Sequence, residues 1–238
     1  MKCVILAAGR GSRLSRSDSK PLTPLLGVPL IERTMRTALE GGATEFVVVT
    51  GYRAEPVQAF VTELGRRLGV PVSVVHNPEW NELGNGRSLW HARSQLDSPF
   101  LLLMADHLFE AGIIDRLRQA ELPADGLLLA VDEDVRREDI DIDDVTRVLH
   151  EDGRILAIGK EMPRFNAFDT GVFLSTPAIV PALEEAFAAG DSSLSGAVSV
   201  LSSRDRARVV DIGGAYWADV DDERAFRRGE EGLVSRLR

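Results

Sequence analysis

With 238 residues, 44% of them hydrophobic, the chain is long enough to bury the core of one large α/β domain. Its single cysteine, Cys3, excludes an internal disulfide framework and a cysteine zinc cluster, and no apolar run approaches the roughly 18 residues of a transmembrane helix. A formal charge of −9 argues against nucleic acid or an anionic membrane as a partner, and leaves the attraction of a phosphorylated ligand to local cations. Met1 leads straight into a strand pattern rather than a signal peptide, so the expected compartment is cytoplasmic, with no direct membrane insertion.

Lys2–Ala7 reads as a buried strand and runs into the segment Leu6 to Pro21, LAAGRGSRLSRSDSKP. Gly9 and Gly11 let the backbone bend and bring its N–H groups close to an anion, while Arg10, Arg13, Arg16 and Lys20 supply positive charge. That combination suits a triphosphate. It is not a dinucleotide fingerprint, because Leu14 stands where GxGxxG needs its third glycine, and it is not a Walker loop, because no GK[ST] follows.

Pro29–Glu40 then reads as a helix with proline near its first turn and Gly41-Gly42 at its end. Glu45–Thr50, Val70–His76, Phe100–Ala105 and Leu127–Val131 read as strands, most of them continuous apolar runs of the kind found where a parallel sheet is covered on both faces. Pro56–Leu68 and Arg87–Leu96 alternate with them as helices. The alternation predicts a doubly wound α/β sheet, mixed and mainly parallel, with ligands at the carboxyl ends of its strands. Leu6 to Gly11 and Ala105-Asp106 both fall at such ends.

After residue 132 the rhythm changes. Asp132–Asp144 carries eight acidic residues and two arginines and reads as a solvated loop or lid. Thr146–His150 and Arg154–Lys160 flank Glu151-Asp152-Gly153, a β-hairpin signal and a small insertion in the sheet. Phe168–Leu174 and Arg208–Ile212 are further strands, Ala178–Ala189 and Ser195–Ser202 further helices. A last helix from about Asp222 to Leu237 is acidic at its start, arginine-bearing at its end and apolar at Phe226, Leu233 and Leu237. No internal repeat, low-complexity tract or linker interrupts the chain.

Two carboxylates stand out. Asp106 follows the apolar run Leu101–Met104 at a strand tip, and Asp219 lies in Tyr216-Trp217-Ala218-Asp219-Val220-Asp221. A divalent cation bridging phosphate oxygens needs one or two hard carboxylates, so the pair suits a metal if the fold joins them. Read alone, Asp106 also suits a loop acid, Asp219 and Asp221 the cap of the last helix, and His107 either a metal ligand or a polar strand end. Trp80, Trp90 and Trp217 read as packing residues.

These segments, together with Asn77-Pro78-Glu79-Trp80, Gly84-Asn85-Gly86-Arg87-Ser88-Leu89, Met104-Ala105-Asp106-His107, Ile158-Gly159-Lys160 and Phe168-Asp169-Thr170-Gly171-Val172-Phe173, carry a resemblance. The chain resembles the sugar-phosphate nucleotidyltransferases over essentially its whole length, and among them the inositol-1-phosphate cytidylyltransferases. The resemblance implies a Rossmann-like nucleotidyltransferase fold as a single domain over residues 1–238, with residues 1–131 mainly binding nucleotide and residues 132–238 mainly binding the acceptor and supplying the closing helix. It implies transfer of CMP from CTP to inositol 1-phosphate, giving CDP-inositol and pyrophosphate, with Mg²⁺ as cofactor.

By the same resemblance, Arg13 and Lys20 hold the β- and γ-phosphates, and Lys160 contacts the acceptor phosphate; these three are the expected catalytic cations. Leu6, Ala7, Ala8, Gly9, Arg10, Gly11, Asn77, Gly84, Asn85 and Ser88 form the expected nucleotide site, Asp169 and Thr170 face the acceptor, and Asp106 and Asp219 hold the metal. Of the 28 basic residues only three are lysine, Lys2, Lys20 and Lys160, so two of the three fall at expected phosphate positions. Other acceptors, a hexose 1-phosphate or phosphocholine, keep the same chemistry, and a non-catalytic nucleotide-sugar sensor is the reading from another class. Bifunctional members of the family carry a membrane synthase region, so a following step here is expected to fall to a separate protein; a homo-oligomer is compatible with all of these readings.

Overall fold

The computed structural model describes residues 1–11, 13–14, 16 and 18–236. The first strand, β1, is Lys2–Ala7, followed by a two-strand ribbon of β2, Pro24–Leu25, and β3, Val28–Pro29. Helix α1, Leu30–Glu40, leads to β4, Glu45–Thr50, then α2, Ala54–Leu68, and β5, Val72–His76. Next come α3, Asn85–His91, β6, Phe100–Met104, β7, His107–Phe109, α4, Ala111–Gln119, and β8, Leu127–Asp132. The hairpin strands are β9, Arg147–Glu151, and β10, Arg154–Gly159, followed by β11, Ala167–Ser175. Helices α5, Ile179–Ala188, and α6, Leu194–Ser202, precede β12, Ala207–Asp211, β13, Trp217–Asp219, and α7, Glu223–Arg236. Leu237, expected on the apolar face of the last helix, lies outside the described residues.

Nine strands form one sheet in the order β5-β4-β1-β6-β11-β8-β12-β10-β9. Seven run in one direction, while β11 and β10 run in the other. The hairpin β9–β10 is therefore part of the sheet, and β9 also pairs with the start of β11 through Ala167 and Phe168, closing a ring of strands. Alternating side chains divide the core by face, as the two-residue period of a strand requires. Cys3, Ile5 and Ala7 of β1 pack with α1, α2 and α4, whereas Val4 and Leu6 pack with residues of α3, α5 and α6. A third cluster of Leu14, Leu25, Leu30, Leu108, Val220 and Phe226 seats α7 on the loop after β1.

Two features place the site. Parallel β1 and β6 end side by side, with Leu6 opposite Met104, so the glycine loop and Asp106 leave the sheet together. The short strands β7 and β13 then pair antiparallel, Asp219 opposite His107, and Val220 N–H donates to Asp106 O at 3.1 Å. This three-residue pairing, across more than a hundred positions of sequence, delivers Asp219 to Asp106.

Candidate active site

The carboxylates and cations converge at one end of the sheet. Lys20, only 4% exposed, sends Nζ to Asp106 Oδ2 at 2.6 Å and to Asp221 Oδ1, with Asp219 Oδ1 at 4.0 Å. Gly11 makes room for it: at φ +61° the glycine covers the lysine stem so closely that a Cβ would stand 2.5 Å from Lys20 Cβ. Burial disfavours the Lys20 ammonium, but Asp106, Asp219 and Asp221 outweigh that cost and hold it charged well above its ordinary range. Burial also pushes Asp106 and Asp221 upward, and the attraction of Lys20 overrides it in both. Asp219 stays raised, by burial and by repulsion from Asp106 and Asp221.

Asp219 Oδ1 is buried and has no hydrogen-bond partner among the described residues. Asp106, His107 and Asp219 each offer an atom within 4.8 Å of the others, as do Asp144, Asp219 and Asp221. An orphaned carboxylate oxygen facing a second carboxylate fits a divalent cation, which prefers hard oxygen donors. His107 Nδ1 bonds Thr170 O at 2.8 Å; a carbonyl can only accept, so Nδ1 carries the proton and Nε2 faces Asp219 and Asp106 at 3.6 and 3.9 Å. Burial lowers the imidazole pKa, but Asp219 and then Asp106 overcome it and raise the value to about 10. Gly171, at φ +74°, lets β11 pass this ring, since a Cβ there would lie 2.3 Å from His107 Nδ1.

A cavity of about 480 Å³ opens beside this cluster. Leu6, Ala8, Gly9, Asn85 and Ser88, expected at the nucleotide, line it together with Lys160 and Asp169, expected at the acceptor, and with Arg13, Asp106 and Asp219. Ala7, Gly11 and Lys20 line an adjoining cavity of about 300 Å³, together with Arg13 and Asp106. Arg10 is exposed, 5.6 Å over the Tyr52 ring.

Three expected contact residues sit one layer back. Asn77 is buried, its Nδ2 donating to Ser88 Oγ at 2.9 Å, which leaves the Ser88 proton free to be donated. Gly84 N–H donates to Ser192 Oγ at 2.7 Å and Asn85 Oδ1 accepts from Leu194 N–H at 2.9 Å, tying the loop to α6. Thr170 is fully buried and its hydroxyl donates to Ala130 O at 2.8 Å, so the part of Thr170 that reaches the site is its carbonyl, on His107. Asp169 accepts from Gly171 N–H at 2.7 Å, and burial pushes its carboxyl up to about 6 against that bond and the charge of His107.

The segment after β8, expected as a solvated loop or lid, lines the cavity and packs on the core. Asp132 is buried and accepts from Trp217 Nε1 and Arg137 Nη1, both at 2.8 Å, while partly buried Val135, Ile140 and Val145 pack on the core. This turns Asp139, Asp141 and Asp144 into the cavity wall. Asp144 takes Arg13 Nη1 on Oδ2 and Lys160 Nζ on Oδ1, each at 2.7 Å, and Arg13 Nη2 also reaches Asp221. Sequence reasoning missed Asp144 and gave Asp221 a capping role; Asp222 does the capping, through Ala225 N–H at 2.7 Å. The spacing of Val135, Ile140 and Val145 within the acidic run was the available signal.

The family described as MobA-like NTP transferase domain matches residues 3–207. The chain is 36% identical over 235 residues to a bifunctional IPC transferase and DIPP synthase of Rubrobacter xylanophilus, covering 97% of this chain and 51% of that protein. It is 33% identical over 235 residues to the protein of the same name from Archaeoglobus fulgidus, covering 99% of this chain and 44% of the other. The chain thus spans about half the length of these curated relatives. Among solved structures, the inositol-1-phosphate CTP transferase of T. maritima superposes with a TM-score of 0.85 at 28% identity, over 98% of this chain and 94% of that one.

Proposed function

This chain belongs to the MobA-like NTP transferase domain family, and we propose that it transfers CMP from CTP to inositol 1-phosphate, releasing pyrophosphate and forming CDP-inositol. The observation that carries the reading is the lining of one cavity, which brings together Leu6, Ala8 and Gly9 of the glycine loop, Asn85 and Ser88, Asp169 and Lys160, and the Arg13, Asp106 and Asp219 charges. Cations and carboxylates lining the same cavity suit two anionic substrates whose phosphates meet there. We assign residues 1–131 mainly to the nucleotide and residues 132–238 mainly to the acceptor.

In the reaction, an anionic phosphate oxygen of the acceptor attacks the α-phosphorus of CTP. A new P–O bond forms, the α–β bridging P–O bond breaks, and pyrophosphate departs with its electron pair. The barrier comes from bringing two anions together, so positioning and charge compensation dominate. Arg13 and Lys20 hold the β- and γ-phosphates and compensate charge gathering on the leaving group. Lys160 draws in the acceptor phosphate and Asp169 accepts from its ring hydroxyls. Ser88, with its proton free, donates to the base. Asp106 and Asp219 would hold Mg²⁺, which when bound supplies further charge neutralisation on the phosphates.

A pyrophosphate-release screen tests this, crossing CTP, UTP, ATP and dTTP with inositol 1-phosphate, glucose 1-phosphate and phosphocholine at fixed Mg²⁺. CTP with inositol 1-phosphate is expected to turn over fastest. A tenfold or larger advantage for UTP or dTTP with glucose 1-phosphate would overturn the acceptor and base while leaving the nucleotidyl transfer intact.

A further inference from the structure

Asp144 uses both carboxylate oxygens on cations that the reaction assigns to different substrates: Oδ2 on Arg13 of the nucleotide side and Oδ1 on Lys160 of the acceptor side. We propose that Asp144 is a positioning residue that occupies both phosphate sites in the absence of ligand, so that the arrival of either substrate displaces it from both and the two substrates bind cooperatively. This rests on the functional reading above.

Arg13 and Lys160 are 52% and 56% exposed, and ion pairs at that exposure are individually weak. A phosphate with more charge and more acceptor oxygens than a carboxylate therefore competes well for either cation. Once a phosphate sits on Arg13, the singly charged Asp144 beside it becomes a like-charge neighbour and is driven off. Because Asp144 is one rigid carboxylate, leaving Arg13 also releases Lys160. Binding at one site thus removes a competitor from the other, which is a coupling free energy and must be reciprocal.

The local backbone lets Asp144 move with its segment. Asp144 N–H and Val145 N–H both donate to Asp141 O, at 3.2 and 2.9 Å, and Asp143 N–H donates to Asp141 Oδ1 at 3.1 Å, so residues 141–145 form a compact turn held by its own bonds. Arg147 Nη2, on β9, fixes Ile142 O at 2.6 Å while the Ile142 side chain stays 41% exposed. Within this turn Val145 alone packs on the core, so few core contacts are lost on shifting.

The test is isothermal titration with the non-cleavable nucleotide α,β-methylene-CTP in Mg²⁺ buffer, with and without inositol 1-phosphate, on the wild-type chain, Asp144→Asn and Asp143→Asn. Asp143 is exposed and its substitution makes the same change in net charge. In the wild type, inositol 1-phosphate should tighten nucleotide binding about fivefold or more, with the same factor in the reverse titration. Asp144→Asn should bind each ligand alone more tightly than the wild type and show a coupling factor near one; Asp143→Asn should behave as the wild type. Hydrogen exchange should show amides 143–145 deprotected by nucleotide in the wild type. Wild-type coupling retained in Asp144→Asn, weaker binding of either ligand to it, or absence of coupling in the wild type would overturn the proposal alone. Failure of the wild type to bind the nucleotide at all would overturn the functional reading and this inference with it.

Discussion

Lys20 shows how one side chain organises the centre. A buried ammonium is costly unless paired, and here Asp106, Asp219 and Asp221 surround it while Gly11 closes over its stem. Removing the amine leaves those carboxylates facing one another with only His107 and Arg13 to offset them, so Lys20→Ala should lower kcat on the order of a hundredfold or more. Arginine there should rescue little, because a planar guanidinium is bulkier than the compact ammonium held among Asp106, Asp219 and Asp221 and directs its donors differently. Lys160 is exposed and bonded only to Asp144 among the described residues, so Lys160→Ala should instead raise the KM for the acceptor more than that for CTP. Measuring kcat and both KM values, with circular dichroism to confirm folding, distinguishes the two; a shared kinetic signature would refute the division. At this scale the sequence spoke through chemistry: a chain that uses arginine nearly everywhere kept lysine at both positions. It was silent on Asp144, which neither follows a strand tip nor sits in a motif with fixed spacing, and it read Asp221, within the Tyr216–Asp221 segment, only as a helix cap.

Helix α7 is the element whose packing bears most directly on the site. Phe226 is buried against Leu14, which lies beside Arg13, and Arg16 stacks over the Phe226 ring at 3.9 Å. The aromatic ring thus holds the cationic loop in place from behind. Phe226→Ala should cost about 3 kcal/mol of stability, the lower end for deleting a buried aromatic side chain, and should raise the KM for CTP while sparing that for the acceptor. Thermal melts and steady-state kinetics check both halves; an unchanged KM for CTP would separate the helix from loop positioning. The central strands β1, β4, β6 and β8 were legible because both faces are covered, which makes each a largely apolar run. Helix α4 escaped notice: it has nine residues, begins Ala111-Gly112, and carries the β-branched pair Ile113-Ile114, all of which blur a helical period. Strands β7 and β13 were illegible because three-residue strands show no period, and their partnership depends on the fold around them.

Across the whole molecule, the nine-stranded sheet spans residues 2 to 211, and the site lies where β1 and β6 end beside the separate β7–β13 pair. No described helix is long and apolar enough to cross a membrane. The net charge of −9 means that anionic substrates approach a surface which repels them on average, with the attraction confined to the cavity. The expected phosphate cations Arg13, Lys20 and Lys160 include two of the three lysines in a chain whose other 25 basic residues are arginine, and this has a practical consequence for labelling chemistry. Acylating reagents specific for amines ignore guanidinium groups, which leaves them the amino terminus and three lysines. Lys2 is 9% exposed and tied to Asp97, Lys20 is 4% exposed, and Lys160 is 56% exposed. An N-hydroxysuccinimide ester should therefore acylate Lys160 well ahead of the other two, and inositol 1-phosphate should protect it, as peptide mapping by mass spectrometry would show. Equal labelling of Lys20 would contradict its burial. The protein thus offers a nearly unique side-chain amine at the acceptor end of its cavity, where a fluorophore could report occupancy without any cysteine being introduced.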